Sequence, residues 1–168
     1  MTTATVAVGA LLSAVALAPA RANIPAPTGT ATQTVTRNPQ PTPRLTDIRT
    51  GRHPSYDRIV LDLRGAAPGY TIGYVRTVRR DGSGQLVDLR GNANLLVRLR
   101  PAAAHRADGT ATYTGPRRFH PGLPQIRDVA LVGDFEGTVS VALGIAHKAG
   151  FRVLTLANPT RVVVDIAH

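Results

Sequence analysis

The residues best suited to bind a ligand are concentrated in one long stretch between Pro101 and Pro124. Arg side chains present a planar fork of donors that matches carboxylate and phosphate groups, and aromatic rings can stack on the apolar faces of sugars. Cations beside aromatics therefore predict a site for a polymer that offers sugar rings and anionic groups. The candidate ligand-binding residues of this stretch are His105, Arg106, Tyr113, Arg117, Arg118, Phe119 and His120.

A purely structural interpretation of the same stretch remains open. A loop of this length inside a small domain is uncommon and often functional or mobile. It can equally be a solvated, charged loop in which Tyr113 and Phe119 pin the chain to the core. Arg52 and His53, in a turn marked by Gly51 and Pro54, are further candidate ligand-binding residues and carry the same two interpretations.

The residue types do not form a catalytic constellation. The chain has five His and several Asp, but no Cys and no G-x-S-x-G motif, which a nucleophile on a strand-to-helix turn would require. Ser140 lies in the middle of a predicted strand. We therefore predict that the protein is not an enzyme, with a wall hydrolase kept as the catalytic alternative.

Metal and cofactor sites are not predicted either. Metal binding needs clustered His or carboxylates, and neither H-x-x-x-H nor H-E-x-x-H occurs. Asp134 and Glu136 in a Gly-bounded turn are typical of a plain acidic hairpin turn. Gly82-Ser83-Gly84 lacks the Lys-Ser/Thr that follows in a phosphate loop, so no cofactor is expected.

The charge balance points to an anionic partner. The formal net charge is +10 and Lys148 is the only Lys. A basic balance favours nucleic acid, anionic lipid or an acidic wall polymer, although a GC-rich genome also raises the Arg content. The absence of Cys excludes disulfides and thiolate metal sites.

The N-terminal residues predict export. The apolar run from Val6 to Ala18 is too short to span a bilayer, which takes about 20 residues, and small residues follow it. This pattern predicts a signal peptide over residues 1–22, cut after Ala20 or Ala22. Because no Lys or Arg precedes the run, retention as an anchor is the alternative. The expected location is secreted, in the cell envelope, with no integral membrane domain after cleavage.

Residues 23–44 are rich in Pro and Thr. They contain too few apolar side chains to offset the entropy of ordering, so we predict a disordered or extended linker. The folded domain is expected over residues 45–168.

Short runs of alternating apolar and polar residues, separated by Gly, Pro and Asp turns, predict strands throughout the domain. No segment shows a sustained period of 3.6 residues, which disfavours a helical domain. The pattern predicts an all-β fold, an antiparallel β-sandwich of about eight short strands. The predicted strands are 45–49, 58–63, 70–78, 85–89, 94–99, 126–132, 138–146, 151–156 and 161–166.

One six-residue sequence motif occurs twice, as RIVLDL over 58–63 and RVVVDI over 161–166. Alternation places the aliphatic residues of each copy on one face and its Arg and Asp on the other. If the copies are antiparallel neighbours, one register sets Arg58 opposite Asp165 and Asp62 opposite Arg161. Each such pair would contribute roughly 0.2–1 kcal/mol.

Several motifs along the chain together carry a family resemblance. They are Leu45-Thr46-Asp47-Ile48-Arg49, Arg52-His53-Pro54, Tyr56-Asp57-Arg58-Ile59-Val60-Leu61-Asp62, Pro68-Gly69-Tyr70, Gly73-Tyr74-Val75, Asp81-Gly82-Ser83-Gly84, Pro101-Ala102-Ala103-Ala104-His105, Gly133-Asp134-Phe135-Glu136-Gly137 and Arg161-Val162-Val163-Val164-Asp165. Over Leu45 to His168 the chain resembles the AMIN-like domain of actinobacterial exported proteins and lipoproteins. The resemblance implies a sandwich of two antiparallel sheets and a non-catalytic envelope module, related distantly to AMIN domains that localise proteins to peptidoglycan.

These observations lead to one main functional hypothesis and one alternative. The main hypothesis is a secreted, non-catalytic module that recognises peptidoglycan or another anionic wall polymer. The alternative is a protein–protein interaction module of an envelope complex. Nucleic acid is not expected as a partner, because an exported protein rarely meets it and no paired stacking aromatics are evident.

Overall fold

Ten β-strands make up the regular structure of the protein, for which a computed structural model describes residues 24–168. The predicted signal peptide lies outside the described residues. The strands are β1 (Gln33–Val35), β2 (Arg44–Arg52), β3 (Tyr56–Arg64), β4 (Gly69–Val75), β5 (Ala93–Arg100), β6 (Arg118–Phe119), β7 (Ile126–Phe135), β8 (Thr138–Ile145), β9 (Phe151–Leu156) and β10 (Thr160–Ala167).

The strands form two antiparallel sheets that pack face to face. One sheet has six strands in the order β1-β4-β5-β8-β7-β6, and the other has four in the order β2-β3-β10-β9. The prediction of an all-β antiparallel sandwich is confirmed. Among residues 24–168 there is no helix with the length and apolar character needed to cross a bilayer.

The main core fills the space between the sheets and is almost entirely aliphatic. Alternation along β5 turns Leu95, Val97 and Leu99 inward, where each is fully buried. Phe151 is the one Phe in this core with almost no exposure. A second, smaller cluster lies on the outer face of the six-stranded sheet, where residues 76–92 cross it. Its buried members are Val78, Leu89, Leu96, Ala130, Val132 and Ala142.

The two copies of the repeated motif lie in β3 and β10, which are neighbours at the centre of the four-stranded sheet. Arg58 is directly opposite Asp165, and Asp62 is directly opposite Arg161. The predicted register is therefore confirmed. The Arg58 guanidinium donates from Nε to Asp165 Oδ1 at 2.6 Å, and Arg152 of β9 donates to the other carboxylate oxygen at 2.8 Å.

Residues 24–44 run in an extended conformation along the domain. Gln33–Val35 pairs with β4 as an edge strand. Phe151 N donates to Gly29 O at 2.7 Å, and Arg152 donates to Pro25 O at 2.6 Å. This segment, predicted to be a disordered or extended linker, thus makes its contacts mainly through backbone groups, which composition does not reveal.

Two features differ from the sequence predictions. The structure has ten strands where about eight were expected, because β1 and β6 are too short to show alternation. In contrast, residues 85–89 form only an isolated bridge between Arg79 and Leu86. Their apolar side chains Val87 and Leu89 pack on the outer face of the six-stranded sheet, which explains their alternating pattern without a ladder.

Candidate functional site: a basic groove on the six-stranded sheet

The residues that the sequence marked as ligand-binding lie in different parts of the sandwich. Arg52 is the last residue of β2, not part of a turn as predicted, and His53 follows it, whereas Arg106 lies near Arg44 at the beginning of the strand. With a rise of about 3.3 Å per residue, the two ends of this strand are roughly 25 Å apart. Arg118 and His120 lie beside Asp128 of β7. The nine residues therefore do not form one site.

Arg118 and His120 are both held by a buried carboxylate. Asp128 is fully buried, and its oxygens accept hydrogen bonds from the Arg118 guanidinium and from Arg90 N at 3.1 Å. His120 Nδ1 lies 3.1 Å from the same carboxylate. Burial raises the pKa of Asp128, but hydrogen bonds from Arg118 and Arg90 outweigh it and leave the pKa below its usual value. Arg118 is thus an internal partner.

The aromatic residues of the loop are also internal. Tyr113 is buried in the main core, and its hydroxyl donates to Pro116 O at 2.8 Å. Phe119 is half-buried against the same core. His105 Nδ1 lies 2.7 Å from Asp134 Oδ2, and the other carboxylate oxygen accepts from Ala104 N. These contacts fasten the loop to the end of β7, as the structural interpretation of the loop expects.

The remaining predicted residues lie near the surface. Arg52, Arg106 and Arg117 are exposed, and none of the three side chains makes an ion pair or hydrogen bond with another residue between 24 and 168. His53 stacks on Tyr56 with ring centroids 4.5 Å apart. The Arg58 and Arg152 guanidiniums lie 5.4 Å and 4.9 Å from the Tyr56 ring centroid, so His53 belongs to an ordered aromatic and cationic stack.

A groove of about 700 Å³ runs across the outer face of the six-stranded sheet, beyond the small apolar cluster. It contains none of the nine predicted residues. Its lining includes hydroxyl groups, three Arg side chains, two carboxylates and a largely exposed Phe135. The lining residues are Thr34, Val35, Thr36, Arg37, Asn38, Tyr70, Thr71, Asp81, Arg98, Arg100, Pro101, Phe135, Glu136 and Thr138.

Strand register explains why these side chains meet. Arg98 of β5 is directly opposite Thr71 of β4 on one side and Ser140 of β8 on the other. Because Val97 and Leu99 point into the core, Arg98 and Arg100 both point to the outer face. Ser140 is fully buried on this face, and its Oγ has no hydrogen-bond partner among the described residues.

The groove is basic along β5 and acidic at one end. Within the described part of the chain, the side chains of Arg98 and Arg100 have no ion pair or hydrogen bond. Arg37 donates to Pro68 O at 3.0 Å and lies 6.0 Å from the Tyr70 ring centroid. Asp81 sits so close over Gly133 that a Cβ there would collide with its carboxylate. The groove can therefore present unpaired guanidinium donors to an anion.

Sequence reasoning missed this groove, although one signal was available. Arg98 and Arg100 alternate with Val97 and Leu99, which places two Arg side chains on the face opposite the core. Without the strand order, that signal does not show that Thr71 and Thr138 lie beside them. No group of three or more His, Asp or Glu side chains comes together as a metal site within residues 24–168.

Comparison with known proteins identifies the family. No curated protein and no solved structure matches the chain. The family model of the AMIN-like domain matches residues 43–168, which includes every strand except β1. The chain therefore belongs to the AMIN-like domain family, whose members are non-catalytic binding modules associated with the cell envelope.

Proposed function

We propose that the protein is a secreted envelope module that binds peptidoglycan or another anionic wall polymer through the groove on the six-stranded sheet. The observation that carries the proposal is the pair of unpartnered guanidiniums, Arg98 and Arg100, beside a row of hydroxyl groups. Family membership supports a role in the envelope, and the net charge of +10 favours an anionic partner.

The chemistry of the groove suits such a polymer. Guanidinium groups form paired hydrogen bonds with carboxylates, such as those of wall peptides. Thr71 and Thr138 add hydroxyls that can donate to or accept from sugar hydroxyls. Phe135 is 56% exposed at the edge of the groove, where its ring is available to stack on a sugar face. An open groove of this kind admits a chain and not only a small molecule.

The test is retention of the protein by purified sacculi at moderate salt. We expect the double variant Arg98→Gln/Arg100→Gln to lose most of its retention, and Phe135→Ala to lose part of it. Arg76→Gln/Arg80→Gln is the matched control, because both side chains are exposed and it removes the same charge. Equal retention of the two double variants would reject the groove as the site.

The exposed residues predicted from sequence enter the same proposal as peripheral contacts. Arg52, Arg106 and Arg117 present guanidiniums to solvent, and each can add long-range attraction to a polyanion. Their single substitutions to Gln should reduce retention less than Arg98→Gln. A larger loss from Arg117→Gln than from Arg98→Gln would move the site back to the loop.

A specific observation favours protein binding as a second candidate function. β9 is an edge strand whose Phe151 is bonded to Gly29 and Gln33 of the N-terminal segment, and beyond Phe151 its outward residues Leu154 and Leu156 are 37% and 38% exposed. An extended segment of an envelope protein can add to such an edge by backbone hydrogen bonds. Pull-down from envelope extracts with wild type and with Leu154→Lys tests this candidate. Recovery of the same proteins by both would reject the edge.

A further inference from the structure

Two arginines lie directly opposite each other on β2 and β3 of the four-stranded sheet. Arg44 begins β2, and its cross-strand partner is Arg64, the last residue of β3. Like charges directly opposite in an antiparallel pair are destabilising. Neither guanidinium makes an ion pair or a side-chain hydrogen bond with any residue from 24 to 168. Within the described chain, therefore, no carboxylate pairs with Arg44 or Arg64 to offset the repulsion between them.

A third arginine reaches the same place from the long loop. The loop turns back on itself after Ala104: Arg106 N donates to Thr110 O at 2.8 Å, and Thr112 N donates to Ala104 O at 2.8 Å. Thr112 Oγ1 also donates to Leu45 O at 2.8 Å, which fixes the returning arm against β2. This tight hairpin holds Arg106 beside the Arg44–Arg64 pair.

The three arginines line a small pocket of about 130 Å³ with Thr46, Ala111 and Thr112. The Thr46 hydroxyl donates to Asp62 O at 3.1 Å, and the Thr112 hydroxyl donates to Leu45 O. The donors that remain available in the pocket are thus the guanidinium groups.

The nearby acids are engaged elsewhere. Asp62 accepts two hydrogen bonds from Arg49, at 2.6 Å and 2.8 Å. Asp47 accepts from Ile48 N at 2.8 Å. Asp108 accepts from Thr110 N at 2.9 Å; hydrogen bonds from Thr110 lower the pKa of Asp108, and the charge of Arg106 lowers it further, although the two side chains form no ion pair. None of the three lines the pocket. The pocket lining therefore contains three positive charges and no negative one, and Asp108 beside Arg106 is the acid that acts on the cluster from outside the lining.

We propose that Arg44, Arg64 and Arg106 form a binding site for a terminal phosphate group. A phosphate monoester carries between one and two negative charges and three acceptor oxygens at neutral pH, which three guanidinium forks can share. A carboxylate has two oxygens and one charge, so it leaves part of this donor set unused. None of the three arginines lines the groove on the six-stranded sheet, and the phosphate site is separate from it.

Calorimetric titration with inorganic phosphate, glycerol phosphate and dimethyl phosphate at constant ionic strength tests the site. We expect saturable one-to-one binding of the first two. Dimethyl phosphate, with one charge and two unesterified oxygens, should bind at least tenfold more weakly. Arg64→Gln and Arg106→Gln should each raise the Kd for inorganic phosphate at least tenfold, whereas the exposed Arg80→Gln should leave it unchanged.

A stability readout separates loss of binding from loss of folding. Without phosphate, Arg64→Gln should melt at or above the wild-type temperature, because it removes the repulsion with Arg44. Added phosphate should raise the melting temperature of wild type and Arg80→Gln, but not of Arg64→Gln. Because phosphate is the only ligand, the result does not depend on whether the groove binds a wall polymer.

Three results would overturn the phosphate site. The first is equal phosphate affinity in Arg64→Gln, Arg106→Gln and Arg80→Gln. The second is binding of dimethyl phosphate as tight as that of inorganic phosphate. The third is a lower melting temperature of Arg64→Gln without phosphate, since the repulsion between Arg44 and Arg64 would then be absent.

Discussion

Two adjacent arginines in the same loop have different environments, and a buried carboxylate accounts for the difference. Arg118 donates to Asp128 and to Asp88 O, which lies 2.8 Å away. Arg117 points to solvent, and only its backbone carbonyl is engaged, by Leu131 N at 2.8 Å. Binding to an external anion therefore costs Arg118 an internal partner and costs Arg117 none.

Substitution of the two arginines should separate their roles. Arg118→Gln leaves the buried Asp128 without its guanidinium partner, and we expect a loss of about 1 kcal/mol in the free energy of unfolding. The value lies below the usual range for hydrogen bonds to charged groups because 43% of the Arg118 side chain is exposed to solvent, which screens the pair. Arg117→Gln is the control and should change stability by less than about 0.5 kcal/mol. Urea unfolding measures both, and equal losses would contradict the assignment.

Asp128 should also make stability dependent on pH. Its pKa in the folded protein is below the ordinary value of 3.8, so the unfolded chain binds a proton more readily. Its stabilising contribution is fully present above the unfolded pKa and is lost as pH falls through the folded pKa. Asp128→Asn should therefore be less stable than wild type near pH 7, with a difference that shrinks in acid. Urea midpoints from about pH 6 to about pH 2 test this, and a constant difference would contradict it.

At the scale of elements, the central pair of strands could be predicted because two signals agree. Alternation assigned the core face of β3 and β10, and the matching Arg and Asp positions indicated the register. Of the two opposed pairs only Arg58 and Asp165 form an ion pair, because Asp62 pairs with Arg49 of β2. In the structure Asp165 is fully buried between Arg58 and Arg152. Arg152 was not predicted as a partner of Asp165, because it lies in β9, outside both copies of the repeated motif.

The N-terminal segment could not be placed from sequence, because it contacts the domain mainly through its own backbone carbonyls and through a close approach to a glycine. Its carbonyl oxygens accept hydrogen bonds from Phe151 N and from the Arg152 guanidinium, and the segment passes directly over Gly150. A Cβ at Gly150 would lie 2.2 Å from Pro27 O and 2.5 Å from Thr28 Cα. Glycine is therefore needed there for a close approach of the two backbones.

Gly150→Ala should consequently displace residues 27–29 while leaving the sandwich folded. We expect faster hydrogen exchange of the Phe151 amide, which donates to Gly29 O, with little change at the amides shared by β3 and β10. Gly51→Ala is the control, because nothing lies within 4 Å of a Cβ at that position. Unchanged exchange at Phe151 in Gly150→Ala would show that the segment does not depend on this contact.

At the scale of the whole molecule, the groove brings together segments that are distant in the chain. Thr34, Arg98 and Phe135 come from three parts of the sequence. The strand order β1-β4-β5-β8-β7, which brings them together, is not encoded in any local pattern. Fold class could thus be predicted from periodicity, whereas the site required the arrangement of strands. The loop residues were predicted to bind a ligand because of their side-chain chemistry, whereas in the structure Tyr113 packs in the core and Arg118 pairs with the buried Asp128.

The two apolar clusters differ in what they hold together. The main core joins both sheets, and Leu61 at its centre is fully buried. The small outer cluster joins residues 76–92 to the six-stranded sheet through side chains such as Val78 and Leu96. Asp81 lies within that crossing segment and also lines the groove. Local opening of the segment would therefore alter the groove without unfolding the sandwich.

Truncation of one side chain in each cluster should show that the outer cluster opens locally while the main core holds the sandwich together. Leu61→Ala should lower the free energy of unfolding by about 2–5 kcal/mol and speed hydrogen exchange throughout the sandwich. Val78→Ala, at a residue 2% exposed, should act mainly on the crossing segment. The amides of Arg80 and Asp81, which donate to Gln85 O and Val132 O, should exchange faster, while the Val97 amide of β5 stays protected. If Val78→Ala instead speeds exchange equally at Val97 and Asp81, the outer cluster is part of one cooperative unit with the main core.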